Sequence, residues 1–213
     1  MAKKKVQKLF TNLIIIDASG SMQDKVQEVI NGLKKLFSDI KADAIKNPDV
    51  KTTTIVLDFS SFNDLRVLVN STSPEDLKDE IADKYVPRDW TALYDAIGKG
   101  FSLIPEKQDG VFINILTDGQ ENNSKEFNQE KIKKLIGDAK LKNWVVTFMG
   151  TTEEAINNAV SLGVSQGNTV CFADSAIGVR GVLTKTSNAR SSYYTSMTTN
   201  AAINLDTLME DTK

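Results

Sequence analysis

Two aspartates follow apolar runs in the same way, and hydroxyl-bearing residues surround the first of them. Asp17 ends the run Leu-Ile-Ile-Ile-Asp and precedes Ser19 and Ser21, whereas Asp118 ends the run Ile-Asn-Ile-Leu-Thr-Asp. Short, largely apolar runs are typical of central strands in a parallel sheet. Because the carboxyl ends of such strands meet at one sheet edge, we expect both carboxylates to lie close together. Carboxylates and hydroxyls suit Mg²⁺ or Mn²⁺, so the sequence predicts a divalent-metal site.

The residue types that the chain lacks argue against several other kinds of site. It has no histidine and a single cysteine, Cys171. A structural zinc site and a histidine-dependent catalytic triad or general base are therefore not expected. One cysteine cannot form a disulfide within the chain, and the strand-like neighbours of Cys171 predict a small, buried hydrophobic side chain.

The elements that must position these residues alternate between strands and helices. We expect a hairpin from the β-branched runs Thr52–Phe59 and Leu65–Val69, as the one antiparallel pair. Periodic apolar residues predict helices at about 26–40, 93–101, 132–139, 152–160 and 175–184, with further strands at 13–16, 111–116, 144–149 and 169–172. This order predicts an α/β fold: a doubly wound, mostly parallel central sheet with one antiparallel hairpin edge strand and helices on both faces.

Length and composition divide the chain into three segments. Its 213 residues suit one α/β domain plus a tail. We expect a basic N-terminal segment at 1–9, the domain at 10–187, and a tail at 188–213. The tail is rich in serine, threonine and asparagine, which predicts a segment that is flexible or becomes ordered only on a partner.

The charge balance argues against two classes of partner. The chain has 26 basic and 28 acidic residues, a net charge of -2, which points to neither nucleic acid nor a membrane surface. The cluster Lys3, Lys4, Lys5 and Lys8 is most simply a solvated terminus, with contact to nucleic acid or acidic protein as the alternative. No run approaches the roughly 20 apolar residues of a membrane span, and the first apolar run is too short for a signal peptide. We expect a cytoplasmic protein.

Three segments together resemble the von Willebrand factor A domain family. They are Asp17-x-Ser-x-Ser after a buried strand, Thr91 before Ala-Leu-Tyr-Asp-Ala-Ile, and a strand that ends in Leu-Thr-Asp118-Gly. The resemblance covers most of the chain and implies a metal-ion-dependent adhesion site. In such a site Asp17, Ser19 and Ser21 would form the first metal loop, Thr91 would coordinate directly in the ligand-bound state, and Asp118 would bind directly or through water. An acidic side chain of a protein partner would then complete the metal's coordination.

One segment departs from the family pattern. Arg88-Asp89-Trp90 precedes Thr91, where the family usually has glycines that permit positive φ. This loop is therefore expected to follow a different path, which makes Thr91 conditional as a direct ligand and Asp89 a candidate additional acid. We expect Trp90 to pack beneath its loop, with an exposed recognition aromatic as the alternative.

Each part of the predicted site also has a structural explanation. Ser21 could cap the long helix that follows, with Asp24 at the third helical position. Asp17 could be a solvated loop acid, and Asp118 with Gly119 could form an ordinary turn. Their joint occurrence with the threonine segment favours the metal-binding interpretation.

Three functions fit these residues. The leading hypothesis is a binding module that uses Mg²⁺ or Mn²⁺ to recognise an acidic group on a protein partner; the resemblance further implies coupling between the site and the last helix. A scaffold subunit of a larger ATPase or viral assembly is the alternative. A Mg²⁺-dependent phosphoryl-transfer enzyme with Asp17 as the nucleophile is less favoured, because such enzymes need a second acid where Ser19 stands.

Overall fold

A six-stranded sheet forms the centre of the computed structural model, which describes residues 7–210. Its strands are β1 (Lys8–Asp17), β2 (Val50–Phe59), β3 (Leu65–Ser71), β4 (Gly110–Leu116), β5 (Val145–Gly150) and β6 (Thr169–Cys171). Across the sheet their order is β3-β2-β1-β4-β5-β6. The β2–β3 pair is antiparallel and the other four pairs are parallel. The predicted mostly parallel sheet with an antiparallel hairpin edge is confirmed.

Helices cover both faces of this sheet. They are α1 (Val26–Lys46), α2 (Asp79–Ala82), α3 (Leu93–Ser102), α4 (Gln129–Leu141), α5 (Glu153–Ser161) and α6 (Ala176–Thr199). In β1, Ile14 and Ile16 pack into the core formed with α1 and α6, whereas Leu13 and Ile15 pack into the core formed with α3, α4 and α5. Because successive strand residues face opposite sides, a strand between two helical layers is apolar on both faces over most of its buried part. The doubly wound architecture is thus confirmed.

The last helix is longer than expected, and the predicted tail is wrong for residues 188–199. α6 runs continuously to Thr199 and crosses the expected boundary at 187/188. Its inner face repeats at helical spacing through Thr186, Ala189, Tyr193 and Tyr194, which are all buried. These residues are small, hydroxylated or aromatic rather than aliphatic, so the buried face resembles a polar tail in composition. Residues 211–213 lie outside the described part of the chain.

Three smaller expectations concern Cys171, the N-terminal lysines and membrane-spanning helices. Cys171 is exposed, so its predicted burial is wrong: β6 has three residues and lies at the edge of the sheet. Lys8 begins β1, whereas Lys3, Lys4 and Lys5 lie outside the described residues. Within 7–210, no helix is both long and apolar enough to cross a bilayer.

Candidate metal centre

The ends of β1 and β4 place the two predicted carboxylates at one sheet edge. The two strands are parallel neighbours, and Ile16 lies opposite Leu116 in their register. The following loops therefore leave the sheet at the same level. Ser21 Oγ links them: it lies 3.0 Å from Ser19 Oγ and donates a hydrogen bond of 2.6 Å to Asp118 Oδ1. The predicted proximity of the two loops is confirmed.

Asp17 is a fully buried carboxylate at the base of the cluster. Its Oδ1 accepts a hydrogen bond of 2.7 Å from the Ser19 backbone N–H, and its Oδ2 accepts one of 2.5 Å from Thr117 Oγ1. Burial raises the pKa of Asp17 to about 6, although the hydrogen bonds from Thr117 and Ser19 oppose the shift. Among the described residues no basic side chain pairs with Asp17 directly. It is therefore no solvated loop acid, and a nearby cation would stabilise its charged form.

Thr91 joins these residues through its close approach to Gly119. A Cβ atom added to Gly119 would lie 3.0 Å from Thr91 Oγ1 and 3.7 Å from Asp17 Oδ2. Thr91 is itself buried, and its backbone exchanges two 3.0 Å hydrogen bonds with Asn122. These bonds hold the threonine in place, and Asp17, Ser19, Ser21, Thr91 and Asp118 form one group, called here the oxygen cluster.

The loop before Thr91 reaches the cluster without glycine. Within residues 7–210, positive φ occurs outside this loop, at Asn143, Gly163 and Asn200. A loop whose φ angles are all negative admits arginine, aspartate and tryptophan without strain. Two backbone hydrogen bonds join it to the first metal loop: Arg88 N–H donates to Ala18 O at 2.6 Å, and Gly20 N–H donates to Asp89 O at 3.0 Å.

One side chain of this loop anchors it to the sheet, and two others are exposed to solvent. The Arg88 guanidinium donates to Asp58 Oδ1 at 2.9 Å and also binds Asp64, so it anchors the loop to the end of β2. Asp89 is exposed and contacts the metal loop through its carbonyl oxygen, not its carboxylate. Trp90 is 61% exposed, so its predicted packing beneath the loop is wrong. Thr91 and Arg88 occupy the inward positions and leave Trp90 facing solvent.

Lys25 is a site residue that sequence reasoning missed. Its ammonium donates to Ser21 O at 2.8 Å and to Asp118 Oδ2 at 2.7 Å, and lies 2.6 Å from Asp174 Oδ1. Burial lowers the pKa of Lys25, but hydrogen bonds and charges from Asp118 and Asp174 outweigh this effect and raise it. The available signal was its spacing, four residues after Ser21, which brings side chains to one face of a helical segment.

Capping does not explain Ser21. Ser21 lies inside a 3₁₀ helix at Gly20–Lys25, whose N-cap residue is Ser19, and the side chain of Ser19 makes no capping hydrogen bond. The hydroxyl of Ser21 instead binds Asp118, as described above. The structural alternative, in which Ser21 caps the helix with Asp24 at the third helical position, is therefore wrong, because a 3₁₀ helix leads into α1.

The donor set fits a hard divalent cation. Two carboxylates and three hydroxyls converge, with no sulfur or imidazole, and oxygen ligands of this kind suit Mg²⁺ and Mn²⁺. Within the described residues, no group of three or more histidine, cysteine or acidic side chains forms a metal cluster. The oxygen cluster does not require one, because hydroxyl groups supply most of its donors.

Comparison with solved structures shows the same fold in a pili tip protein and in a protein of the mussel byssus. The vWF domain of the type V pili tip protein Mfa5 from Porphyromonas gingivalis is 8% identical, with a TM-score of 0.63 over 83% of this chain and 94% of that one. Proximal thread matrix protein 1 from the mussel byssus, with a zinc-occupied MIDAS motif, is 18% identical, with a TM-score of 0.61. The match covers 86% of this chain and 48% of that one, so the chain spans about half the length of the mussel protein.

A family model identifies the family of the chain, whereas these structures show only its fold. No curated protein matches the chain. The model of the von Willebrand factor type A domain matches residues 13–202, and so includes the whole of α6. Because this match covers most of the sequence, the chain belongs to the von Willebrand factor type A domain family.

Proposed function

We propose that the chain binds a divalent cation, Mg²⁺ or Mn²⁺, at the oxygen cluster and uses it to recognise an acidic group of a protein partner. The observation that carries this proposal is the convergence of two carboxylates and three hydroxyls at the carboxyl edge of the sheet. A bound divalent cation would supply the positive charge that attracts a carboxylate, because hydroxyl ligands neutralise none of it.

Exposed apolar side chains beside the cluster support a protein partner. Trp90 is adjacent to Thr91, and Val86, in the same loop, is 52% exposed. Ile177 is 77% exposed and lies three residues after Asp174, which contacts Lys25. Large exposed side chains next to a polar centre are typical anchors of protein interfaces, with tryptophan among the strongest. We therefore propose that Trp90 contacts the partner.

The two other hypotheses have less support. A nucleophilic Asp17 would need an exposed oxygen and a second acid, but this carboxylate is buried and Ser19 stands at the second position. The scaffold hypothesis rested on a tail ordered by a partner, whereas residues 188–199 form part of α6 and pack on the core. A binding module without catalysis remains the proposal.

Metal binding is tested by titrating the purified chain with Mn²⁺ and Mg²⁺ in a calorimeter. We expect binding by the natural chain, with loss of binding in Asp118→Ala. Asp89→Asn is the matched control, because Asp89 is a nearby acid whose carboxylate does not join the cluster. Zn²⁺ belongs in the same series because of the zinc in the mussel structure. Equal binding by the natural chain and Asp118→Ala would contradict the proposal.

Partner recognition is tested by capture on the immobilised chain in Mg²⁺ and in EDTA. We expect Mg²⁺-dependent capture that Trp90→Ala weakens without changing the affinity for Mn²⁺. A partner retained equally in EDTA, and by Asp118→Ala, would contradict the metal-dependent part. The cytoplasmic location is likewise a proposal, which fractionation of cells that express the full-length protein would test.

A further inference from the structure

Lys25 places a fixed positive charge against a candidate metal ligand. The residue is 5% exposed, and its ammonium has three oxygen neighbours: Ser21 O at 2.8 Å, Asp118 Oδ2 at 2.7 Å and Asp174 Oδ1 at 2.6 Å. The side chain of Asp118 is 1% exposed, whereas that of Asp174 is 64% exposed. Lys25 is therefore the principal counter-ion of the buried carboxylate, and water screens its second partner.

Local backbone geometry directs this lysine into the site. Lys25 ends the 3₁₀ helix Gly20–Lys25 and has φ -113° and ψ 0°, so it lies at a break before α1 begins at Val26. Its side chain turns back over the metal loop and binds the carbonyl of Ser21. A surface lysine would instead keep its ammonium in water, as long basic side chains usually do.

We propose that Lys25 is a built-in counter-ion that stabilises the metal-free site and weakens its binding of a divalent cation. The inference rests on the proposed function, because it concerns the affinity of the same oxygen cluster. An ammonium and a divalent cation repel each other, and both are attracted to Asp118. The contact of Lys25 with Asp118 Oδ2 leaves Oδ1, which Ser21 now occupies, facing the cluster. Lys25 thus makes metal binding weaker and more reversible than it would be if neither carboxylate of the cluster had a basic partner.

Replacing Lys25 by methionine keeps most of the side-chain volume and removes the charge. We expect Lys25→Met to bind Mn²⁺ about tenfold more tightly than the natural chain, a difference of about 1.4 kcal/mol, because the repulsion between the ammonium and the divalent cation is removed. The same variant leaves Asp118 buried without its counter-ion, so its melting temperature in EDTA should fall by about 10 °C. Saturating Mn²⁺ should restore more of the melting temperature than in the natural chain.

Two further variants separate charge from structure. Lys25→Arg keeps the charge and should bind Mn²⁺ within about threefold of the natural chain. Lys34 lies on α1 and forms a surface ion pair with Asp83. Lys34→Met removes this positive charge and should leave the affinity for Mn²⁺ unchanged. If Lys25→Met only destabilised the chain, and the charge of Lys25 had no role, this variant would not bind the metal more tightly.

The outcomes distinguish this inference from the proposed function. If the natural chain binds Mn²⁺ and a folded Lys25→Met binds it equally or more weakly, the counter-ion role is overturned while metal binding stands. If the natural chain binds no metal, the proposed function fails and this inference falls with it. Should Lys25→Met fail to fold, Lys25→Gln gives the decision, because its neutral amide can still donate a hydrogen bond to Asp118. Lys25→Gln should bind Mn²⁺ more tightly than the natural chain, and equal or weaker binding overturns the proposal.

Discussion

Burial of Asp17 makes the stability of the metal-free chain depend on pH. Its pKa rises from 3.8 to about 6 on folding, chiefly because burial disfavours the charged form. Between these values the folded chain holds a proton that the unfolded chain has released. The free energy of unfolding therefore falls as the pH rises from about 4 to about 6. At about 1.4 kcal/mol for each unit of pKa difference, the complete loss from below pH 3 to above pH 7 is about 3 kcal/mol.

Asp17→Asn removes this titration and keeps the shape of the side chain. Its amide oxygen can still accept from the Ser19 N–H, and the hydroxyl of Thr117 can rotate to accept from the amide nitrogen. Urea unfolding in EDTA at pH values from 4 to 8 measures the difference in free energy between variant and natural chain. We expect this difference to move in favour of Asp17→Asn by about 2 kcal/mol between about pH 4 and pH 7, because Asp17 of the unfolded chain is already partly ionised at pH 4.

The comparison uses the change of that difference with pH, so any constant effect of the substitution cancels. Asp83→Asn serves as the control, because Asp83 is an exposed acid in a surface pair with Lys34. A difference that stays constant from pH 4 to 8 would refute the burial argument for Asp17. Saturating Mg²⁺ should reduce the fall in stability of the natural chain, since a cation stabilises the charged carboxylate.

Four other perturbations test the surrounding structure. Arg88→Ala should lower the free energy of unfolding by about 2–4 kcal/mol and weaken Mn²⁺ binding, measured by urea unfolding and calorimetry, because Asp58 is fully buried and loses one of its two arginine partners. Gly119→Ala should weaken Mn²⁺ binding, since its Cβ would lie 3.0 Å from the hydroxyl of Thr91. Gly137→Ala meets nothing within 4 Å inside α4 and should stabilise the chain by about 1 kcal/mol, with no effect on metal. A chain that ends at residue 187 should lose its cooperative thermal transition, because the buried face of α6 continues to Tyr194; a normal melt would contradict this.

The sheet and most helices were predictable because their burial follows simple periodicity. Residues 13–16 of β1, and β4 apart from Asn114, are apolar because each strand lies between two helical layers. The second half of α6 was missed for the opposite reason: its buried face uses Tyr193, Tyr194 and Arg190, whose polar atoms hide the apolar contacts. Arg190 is 1% exposed and pairs with Asp43 of α1, a partner 147 positions away that no local pattern reveals.

Candidate metal ligands were predictable where they follow strands, and unpredictable where they depend on loops. Asp17 and Asp118 end neighbouring strands, so topology alone brings them together. The places of Thr117, Lys25 and Arg88 in the site depend on where the loops direct their side chains, which the order of the strands does not determine. The path of residues 88–91 follows from hydrogen bonds to Ala18 and Gly20 and from the pair of Arg88 with Asp58, which are long-range contacts.

Hydrogen bonds between these loops also determine how much further order metal binding would add. Glu121 accepts hydrogen bonds from the backbone of Tyr94, Asn123 and Ser124, and so fixes the loop after β4 to the start of α3. Asp95 similarly binds three backbone N–H groups of residues 125–127. Loops already ordered by such bonds lose little further conformational entropy when a ligand binds. We therefore expect Mn²⁺ binding to leave hydrogen exchange in residues 121–127 nearly unchanged; strong new protection there would show that these loops are mobile before metal arrives.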